Sequence, residues 1–220
     1  MHEICKGALG LSFAGLVSAL LVFWGGHGMA AEKDIRILAL GDSLTQGFGL
    51  PNGTEFPHQL QEELQNQGVN TKVINAGVSG DTSAGGLARL DWSLADDPDA
   101  AIIEFGGNDA LRGLLPAEME RNLDAILTKL ADAEIPALFI GMMAPRNMGA
   151  DYAAEFDAVF PRLAEKHGVL FYPFFLEGVL LDPDLMQRDG THANSEGVTE
   201  IVRRMMPLVL ELIAQVDSPT

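Results

Sequence analysis

Cysteine and positive charge are scarce in this sequence. Its 220 residues include a single cysteine, Cys5, so the chain forms no intramolecular disulfide and has no thiolate chemistry after that residue. Lysine and arginine number 14 against 31 aspartate and glutamate residues, which gives a formal net charge of −17. A surface of this sign repels phosphate backbones and acidic lipid headgroups. The composition therefore argues against nucleic acid as a partner and indicates a self-repelling surface.

One long hydrophobic run is present, and it lies at the N-terminus. Residues Gly7 to Trp24 carry no charge, Lys6 precedes them, and a short segment of small residues ends at Ala30 and Ala31. This order is typical of a secretory signal. We predict a signal peptide over residues 1–31, cleavage after Ala30 or Ala31, and a periplasmic or secreted protein without stable membrane insertion. A retained membrane anchor is the alternative, because the run is long for a signal.

Residues 32–220 are long enough for a single domain with one core. Apolar segments predict five strands, at Ile35–Leu40, Thr71–Ile74, Ala101–Phe105, Ala137–Met142 and Val169–Tyr172. Helical composition or spacing predicts helices at Pro57–Gln67, Ser83–Ala95, Pro116–Ala133, Asp151–Lys166 and Ser195–Val216, the last capped by Asn194. Apolar strands that alternate with helices are typical of a parallel sheet covered on both faces.

Four polar blocks fall at or beyond the ends of predicted strands. They are Gly41-Asp42-Ser43-Leu44, the segment from Asn75 to Thr82, Gly106-Gly107-Asn108-Asp109, and Asp189-Gly190-Thr191-His192. Loops that follow parallel strands open on the same edge of a sheet, so these blocks can converge. A nucleophile early in the chain, with an acid and an imidazole late, is the set of groups that acyl transfer needs.

Together the four blocks resemble the GDSL, or SGNH, hydrolase family, which is named for the serine, glycine, asparagine and histidine in them. The resemblance covers nearly all of residues 32–220, and four blocks in order are far more specific than one. The sequences of residues 79–90 and 104–113 are most similar to those of the secreted bacterial branch known as thioesterase I, lysophospholipase or arylesterase. The resemblance implies a three-layer α/β/α fold with a flavodoxin-like five-stranded parallel sheet of order 2-1-3-4-5.

The resemblance also implies a role for individual residues. Ser43 is the nucleophile, His192 its general base, and Asp189 holds the imidazole and stabilises it when protonated. The oxyanion hole consists of the backbone N–H groups of Ser43 and Gly80 and the side-chain amide of Asn108. No metal and no cofactor are implied. The chemistry agrees, because imidazole is the side chain best matched to proton transfer from a serine at neutral pH.

Each of these residues has a purely structural alternative. Ser43 could cap a helix after the first strand, and Gly80 and Asn108 could be turn residues. The aspartates within the blocks are interpreted as orienting or loop-fastening groups rather than as acids in the reaction; they are Asp42, Asp81 and Asp109. One position departs from the family, which often has proline after the histidine where this chain has Ala193. We expect His192 to be less firmly held in consequence.

The loop after Asn108 is mostly apolar and contains a glycine, so we predict that it lines or closes an acyl-chain groove through Leu111 and Leu114. Such a site predicts breadth, covering fatty acyl esters, thioesters, aryl esters and lysophospholipids, and we expect a monomer that acts on these small molecules. Covering the sheet edge is the structural alternative for this loop.

Three other functions remain open at this stage. A carbohydrate O-deacetylase would use the same fold and a shallow polar groove. A metal-dependent phosphoesterase could draw its ligands from the polar blocks, although a single histidine there is few for such a centre. A lipid-binding or carbohydrate-binding protein without catalysis would have no use for the full set of Ser43, Asp189 and His192.

Overall fold

Five parallel strands form the centre of the fold in this computed structural model, which describes residues 34–216. The predicted signal peptide over residues 1–31 lies outside the described residues. The elements, in chain order, are β1 (Ile35–Gly41), α1 (Ser43–Gln46), α2 (Phe56–Asn66), β2 (Thr71–Gly77), α3 (Ser83–Leu94), β3 (Ala100–Glu104), α4 (Gly107–Leu111), α5 (Pro116–Asp132), β4 (Ala137–Ile140), a 3-10 turn (Arg146–Met148), α6 (Ala150–His167), β5 (Leu170–Tyr172) and α7 (Ser195–Val216).

The strand order is β2-β1-β3-β4-β5, and all neighbouring pairs are parallel, which confirms the predicted topology. The chain moves from β1 to β2 in one direction and then through β3, β4 and β5 in the other. Because parallel crossovers are right-handed, this reversal puts α2 on one face and α3, α5 and α6 on the other. Helix α7 packs beside α2, so helices cover both faces of the sheet.

Register brings the ends of three strands together at one edge of the sheet. Gly41, the last residue of β1, lies opposite Gly77 of β2 and Glu104 of β3. The side chains of β3 and β4 are buried along their whole length, so these strands are held from both faces. The loops that leave this edge contain the first three polar blocks, and the fourth lies in the loop between β5 and α7.

Several element boundaries differ from the predicted ones for reasons that lie in tertiary contacts. Strand β2 continues from Ile74 to Gly77 because its polar end stays in register with β1. Strand β4 ends at Ile140 instead of Met142, since the carbonyl of Gly141 accepts from the N–H of Phe175, which lies beyond the end of β5, at 3.1 Å. The predicted cap of α7 is confirmed, because the side chain of Asn194 accepts from the N–H groups of Glu196 and Gly197.

Two short helices, α1 and α4, were not predicted. Each has four or five residues, which is too short to show a helical period in the sequence. The cap of α1 is Asp42, whose carboxylate accepts from the Leu44 N–H at 3.0 Å, and Ser43 is the first residue of the helix. The alternative interpretation of Ser43 as the helix cap is therefore wrong.

Candidate active site

Ser43 lies where β1 ends and α1 begins, at the edge of the sheet. Its hydroxyl Oγ is 2.9 Å from the ring atom Nε2 of His192, a residue 149 positions further along the chain. As the first residue of α1, Ser43 has a backbone N–H without an acceptor inside the helix. The turn therefore presents both a hydroxyl and an N–H group at the same place.

His192 is held on its other side by Asp189. Its Nδ1 atom is 2.7 Å from the Asp189 carboxylate, whose second oxygen accepts from the backbone N–H groups of Thr191 and His192 at 2.9 and 3.0 Å. Partial burial raises the pKa of Asp189, but these hydrogen bonds outweigh it and lower the pKa to about 2. A charged carboxylate at Nδ1 favours the tautomer in which Nε2 is free to accept a proton.

The loop that carries His192 is fastened by Gln187. The backbone N–H of Gln187 donates to the carbonyl of His192 at 2.7 Å. Its side-chain amide donates to the carbonyls of Ala193 at 2.9 Å and Phe48 at 2.8 Å. Gln187 thus joins the loop of His192 to the segment after Ser43. One of its bonds is to Ala193, the residue that stands where the family often has proline.

Asn108 lies in the first turn of α4 and is tied to the turn that holds the serine. Its amide Nδ2 donates to Asp42 at 2.9 Å, through the carboxylate oxygen that does not cap α1. Gly80 has a φ of +84°, a backbone conformation that favours glycine. Its carbonyl accepts from Arg112 at 2.5 Å. The structure therefore brings Asn108 to the serine turn.

The two remaining aspartates of the blocks hold loops. Asp81 pairs with Arg89 at 2.6 Å, and Arg89 also donates to the carbonyl of Gly41 at the end of β1. Asp109 is buried and accepts from the backbone N–H and the hydroxyl of Ser83 at 2.9 and 2.6 Å, where α3 begins. These contacts agree with the interpretation of Asp81 and Asp109 as loop-fastening groups.

A small cavity beside Ser43 and His192 is lined mainly by apolar side chains. They are Leu44, Phe48, Leu50, Phe175, Ala193 and Val198, with Gly47. The ring of Phe48 is 4.9 Å from that of His192 and half exposed. Sequence reasoning did not single out Phe48, although an aromatic residue between Gly47 and Gly49, shortly after the serine, was a usable signal.

Leu111 and Leu114 are not among the residues that line this cavity. The side chain of Leu111 is exposed, whereas Leu114 is half-buried and its carbonyl accepts from the hydroxyl of Tyr152 at 2.8 Å. Arg112, between them, contacts Gly80. Their contact with substrate therefore stays a prediction.

Hydrogen bonds link the hydroxyl of Ser43, the imidazole of His192 and the carboxylate of Asp189 in that order. This arrangement suits proton transfer away from a serine. Within residues 34–216, no group of three or more His, Cys, Asp or Glu side chains is placed to hold a metal ion. In the same range, no helix has both the length and the apolar character needed to cross a bilayer.

Known proteins resemble this chain over most of its length. It is 38% identical over 185 residues to the thioesterase 1/protease 1/lysophospholipase L1 of Escherichia coli strain K12, covering 82% of this chain and 87% of that protein. It is 36% identical over 178 residues to the esterase TesA of Pseudomonas aeruginosa, covering 80% of this chain and 89% of that protein. Among solved structures, the SGNH-hydrolase family esterase AlinE4 matches with a TM-score of 0.70 and 47% identity, covering 82% of this chain and 97% of that one.

The similarity extends to the family as a whole. Residues 39–199 match the model of the GDSL-like Lipase/Acylhydrolase family, a range that includes Ser43, Gly80, Asn108, Asp189 and His192. Together with the relatives, this match confirms the resemblance that the four polar blocks suggested. The chain therefore belongs to the GDSL-like lipase/acylhydrolase family of enzymes.

Proposed function

We propose that this enzyme hydrolyses acyl esters and thioesters through Ser43, His192 and Asp189. The observation that carries the proposal is the unbroken chain of hydrogen bonds from Asp189 through His192 to Ser43, at 2.7 and 2.9 Å. The relatives named esterase and thioesterase 1/lysophospholipase L1 support the class of bond that is cleaved.

The reaction proceeds in two halves. Ser43 Oγ attacks the acyl carbon while its proton passes to His192 Nε2, and the tetrahedral intermediate collapses as that proton is given to the departing alcohol or thiol. A water molecule then attacks the acyl-serine, again losing its proton to His192, and the acid leaves as the serine regains its proton. Asp189 stabilises the imidazolium in both halves.

The negative oxygen of each intermediate needs donors that are already in place. The backbone N–H groups of Ser43 and Gly80 and the amide of Asn108 fill this role in the proposal. The hydrogen bond from Asn108 to Asp42 leaves the second amide hydrogen of Asn108 available. Loss of one such donor typically costs on the order of 10²–10³ in rate.

The apolar side chains beside Ser43 favour acyl chains and aryl groups as the bound part of the substrate, although the cavity between them, about 10 Å³, is too small to hold a chain unless they move apart. Its lining includes no lysine, arginine, aspartate or glutamate side chain. Apolar sites discriminate weakly between neighbouring chain lengths, because one methylene is worth about 1–3 kcal/mol. We therefore propose fatty acyl esters, acyl thioesters, aryl esters and lysophospholipids as the substrate range.

A carbohydrate O-deacetylase is the second candidate, and a polar depression next to the site favours it. Gln46, Asn52, Glu55 and Asn75 line this depression together with the Gly47–Leu50 segment. Polar side chains of this kind bind sugar hydroxyls. Release of acetate from an acetylated polysaccharide, faster than hydrolysis of longer acyl esters, would select this function over the first.

The test is hydrolysis of p-nitrophenyl acetate, butyrate, octanoate and palmitate by the enzyme and by Ser43→Ala, with and without EDTA. We expect EDTA to leave the activity unchanged and Ser43→Ala to lower kcat by on the order of 10⁴-fold or more. Ser93→Ala, which removes a buried hydroxyl in α3 that donates to the carbonyl of Arg89, is the control and should keep its activity. Full activity in Ser43→Ala, or its loss with EDTA, would favour metal-dependent chemistry instead.

A further inference from the structure

A second buried carboxyl group lies directly beneath the serine turn, and the proposed reaction does not use it. Glu104, the last residue of β3, is fully buried. Its Oε2 atom accepts from the hydroxyl of Thr45 at 2.9 Å and from the backbone N–H of Asp42 at 3.3 Å. Its Oε1 atom is buried and has no hydrogen-bond partner among the described residues. No ion pair joins Glu104 to a lysine, arginine or histidine in that part of the chain.

The space around this carboxyl group explains the glycine that opens the first polar block. A Cβ atom on Gly41 would come within 2.1 Å of Thr45 Oγ1 and 2.7 Å of Glu104 Oε2. A side chain at position 41 would therefore displace the hydrogen bond between these two groups. Because Gly41 has no side chain, the end of β1 leaves space for the carboxyl group of Glu104.

Asp42 and Glu104 are neighbouring buried acids, and one proton is expected between them. Both oxygens of Asp42 accept from N–H groups, those of Leu44 and Asn108, whereas Glu104 has one oxygen without a donor. Burial and the neighbouring Asp42 carboxylate raise the pKa of Glu104 well above its ordinary range. Burial also raises the pKa of Asp42, but the Leu44 N–H, the Glu104 carboxyl group, the Asn108 amide and the nearby His192 counter that effect. The proton therefore belongs to Glu104.

We propose that Glu104 is a positioning residue, a neutral acid that acts through Asp42 to orient the amide of Asn108. With Glu104 neutral, Asp42 carries the only charge of the pair and is a strong acceptor for Asn108 Nδ2. An ionised Glu104 would repel that charge, and none of the lysine, arginine or histidine residues that the structure describes forms an ion pair with Glu104 to offset the repulsion. The inference rests on the proposed function in one respect, the role of Asn108 as an oxyanion donor.

Two substitutions at this position separate the charge of Glu104 from its shape. Glu104→Gln keeps a neutral group that accepts from Thr45 and Asp42, so we expect kcat within about threefold of the parent. Glu104→Leu removes the hydrogen bonds, and we expect kcat to fall by about 10- to 100-fold with little change in KM, because Asn108 acts on the transition state. An unfolded fraction also lowers the apparent kcat without changing KM, so kcat is calculated per folded molecule.

Thr71→Val is the matched control. Thr71 is also buried in the sheet, and its hydroxyl has no hydrogen-bond partner among the described residues, but it lies at the opposite end of β2 from the site. We expect this variant to keep both kcat and KM. Thermal melting of all three variants establishes that each is folded when its kinetics are measured.

The protonation state has its own measurement, which does not depend on activity or on the folding of Glu104→Leu. In protein labelled with ¹³C at the glutamate side-chain carboxyl carbon, the resonance missing from Glu104→Gln belongs to Glu104. We expect it at the position of a protonated acid at neutral pH, because the pKa of Glu104 is raised well above its ordinary range. A carboxylate resonance at neutral pH, or a folded Glu104→Gln with kcat lowered tenfold or more, would overturn the proposal. Activity surviving in Ser43→Ala would instead overturn the serine mechanism and leave this resonance where it is.

Discussion

At the scale of single residues, Asp189 shows burial and hydrogen bonding acting in opposite directions. The hydrogen bonds outweigh burial, so its pKa falls from an ordinary 3.8 to about 2. The carboxylate is therefore charged at every pH above that ordinary value. Its interactions stabilise the folded state fully there, and this contribution is lost progressively as the pH falls from about 3.8 through about 2.

Asp189→Asn is expected to lower kcat by about 10³- to 10⁴-fold, because an amide at this position favours the wrong tautomer of His192. In the parent enzyme, we expect no inflection from Asp189 in a profile of kcat between about pH 4 and 9. Steady-state kinetics across this range measure both. Asp184→Asn, which removes one exposed carboxylate from the same loop, is the control and should keep the parent's activity. An Asp189→Asn variant with more than a tenth of the parent's activity would contradict the assigned role.

At the scale of elements, the loop between β5 and α7 decides how His192 is aimed. Sequence comparison with the family leads to the expectation of a loosely held histidine, because Ala193 stands where proline is frequent. The structure adds a compensating contact, since Gln187 is bonded to the carbonyls of His192, Ala193 and Phe48. Three hydrogen bonds to one residue restrict the loop without proline.

Gln187→Ala removes the two side-chain bonds, to Phe48 and Ala193, and keeps the backbone bond to His192. It should therefore loosen the loop and lower kcat by about tenfold, with a small change in KM, because misplaced catalytic groups lose rate steeply. Kinetics with a p-nitrophenyl ester measure the loss. Ala193→Pro in the Gln187→Ala background should restore part of it, since proline stiffens the backbone and the Ala193 N–H donates no hydrogen bond to a described residue. If Gln187→Ala alone behaves as the parent does, the side chain does not hold His192.

At the scale of the whole molecule, the N-terminal segment and the net charge are the features that bear on the location of the enzyme. The formal net charge of −17 does not change when residues 1–31 are removed, because Lys6 and Glu3 cancel. We propose that the mature enzyme is exported and carries this full negative charge. Long-range attraction to nucleic acid or acidic lipid then contributes nothing to its encounters with substrate.

Expression of the full chain in a Gram-negative host tests this proposal. We expect mass spectrometry of the periplasmic or secreted enzyme to find an N-terminus at Ala31 or Glu32. A protein of full length in the membrane fraction would support the anchor instead. A variant with Ala30 and Ala31 both changed to Arg should accumulate uncleaved, because cleavage needs small residues at this site.

Local features of the sequence were sufficient for the order of the strands and the long helices and for the groups of the candidate triad. Buried parallel strands are continuous apolar runs, and long amphipathic helices show their period, so both are visible without tertiary information. Ser43, Asp189 and His192 stand in short motifs whose chemistry is recognisable residue by residue. The predicted strand order came from the resemblance to the GDSL, or SGNH, hydrolase family, and the structure confirms it.

Contacts between distant segments account for what could not be predicted. The polar end of β2 is a strand because β1 lies beside it, and Asp42 rather than Ser43 caps α1 because of the turn geometry at the sheet edge. In the sequence, Glu104 resembles an ordinary polar residue at the end of a strand, and its enclosure by Gly41 and Thr45 is visible only in the tertiary structure. Its burial beside a second carboxyl group results from strand register, which depends on residues about 60 positions apart and is not written in any local pattern.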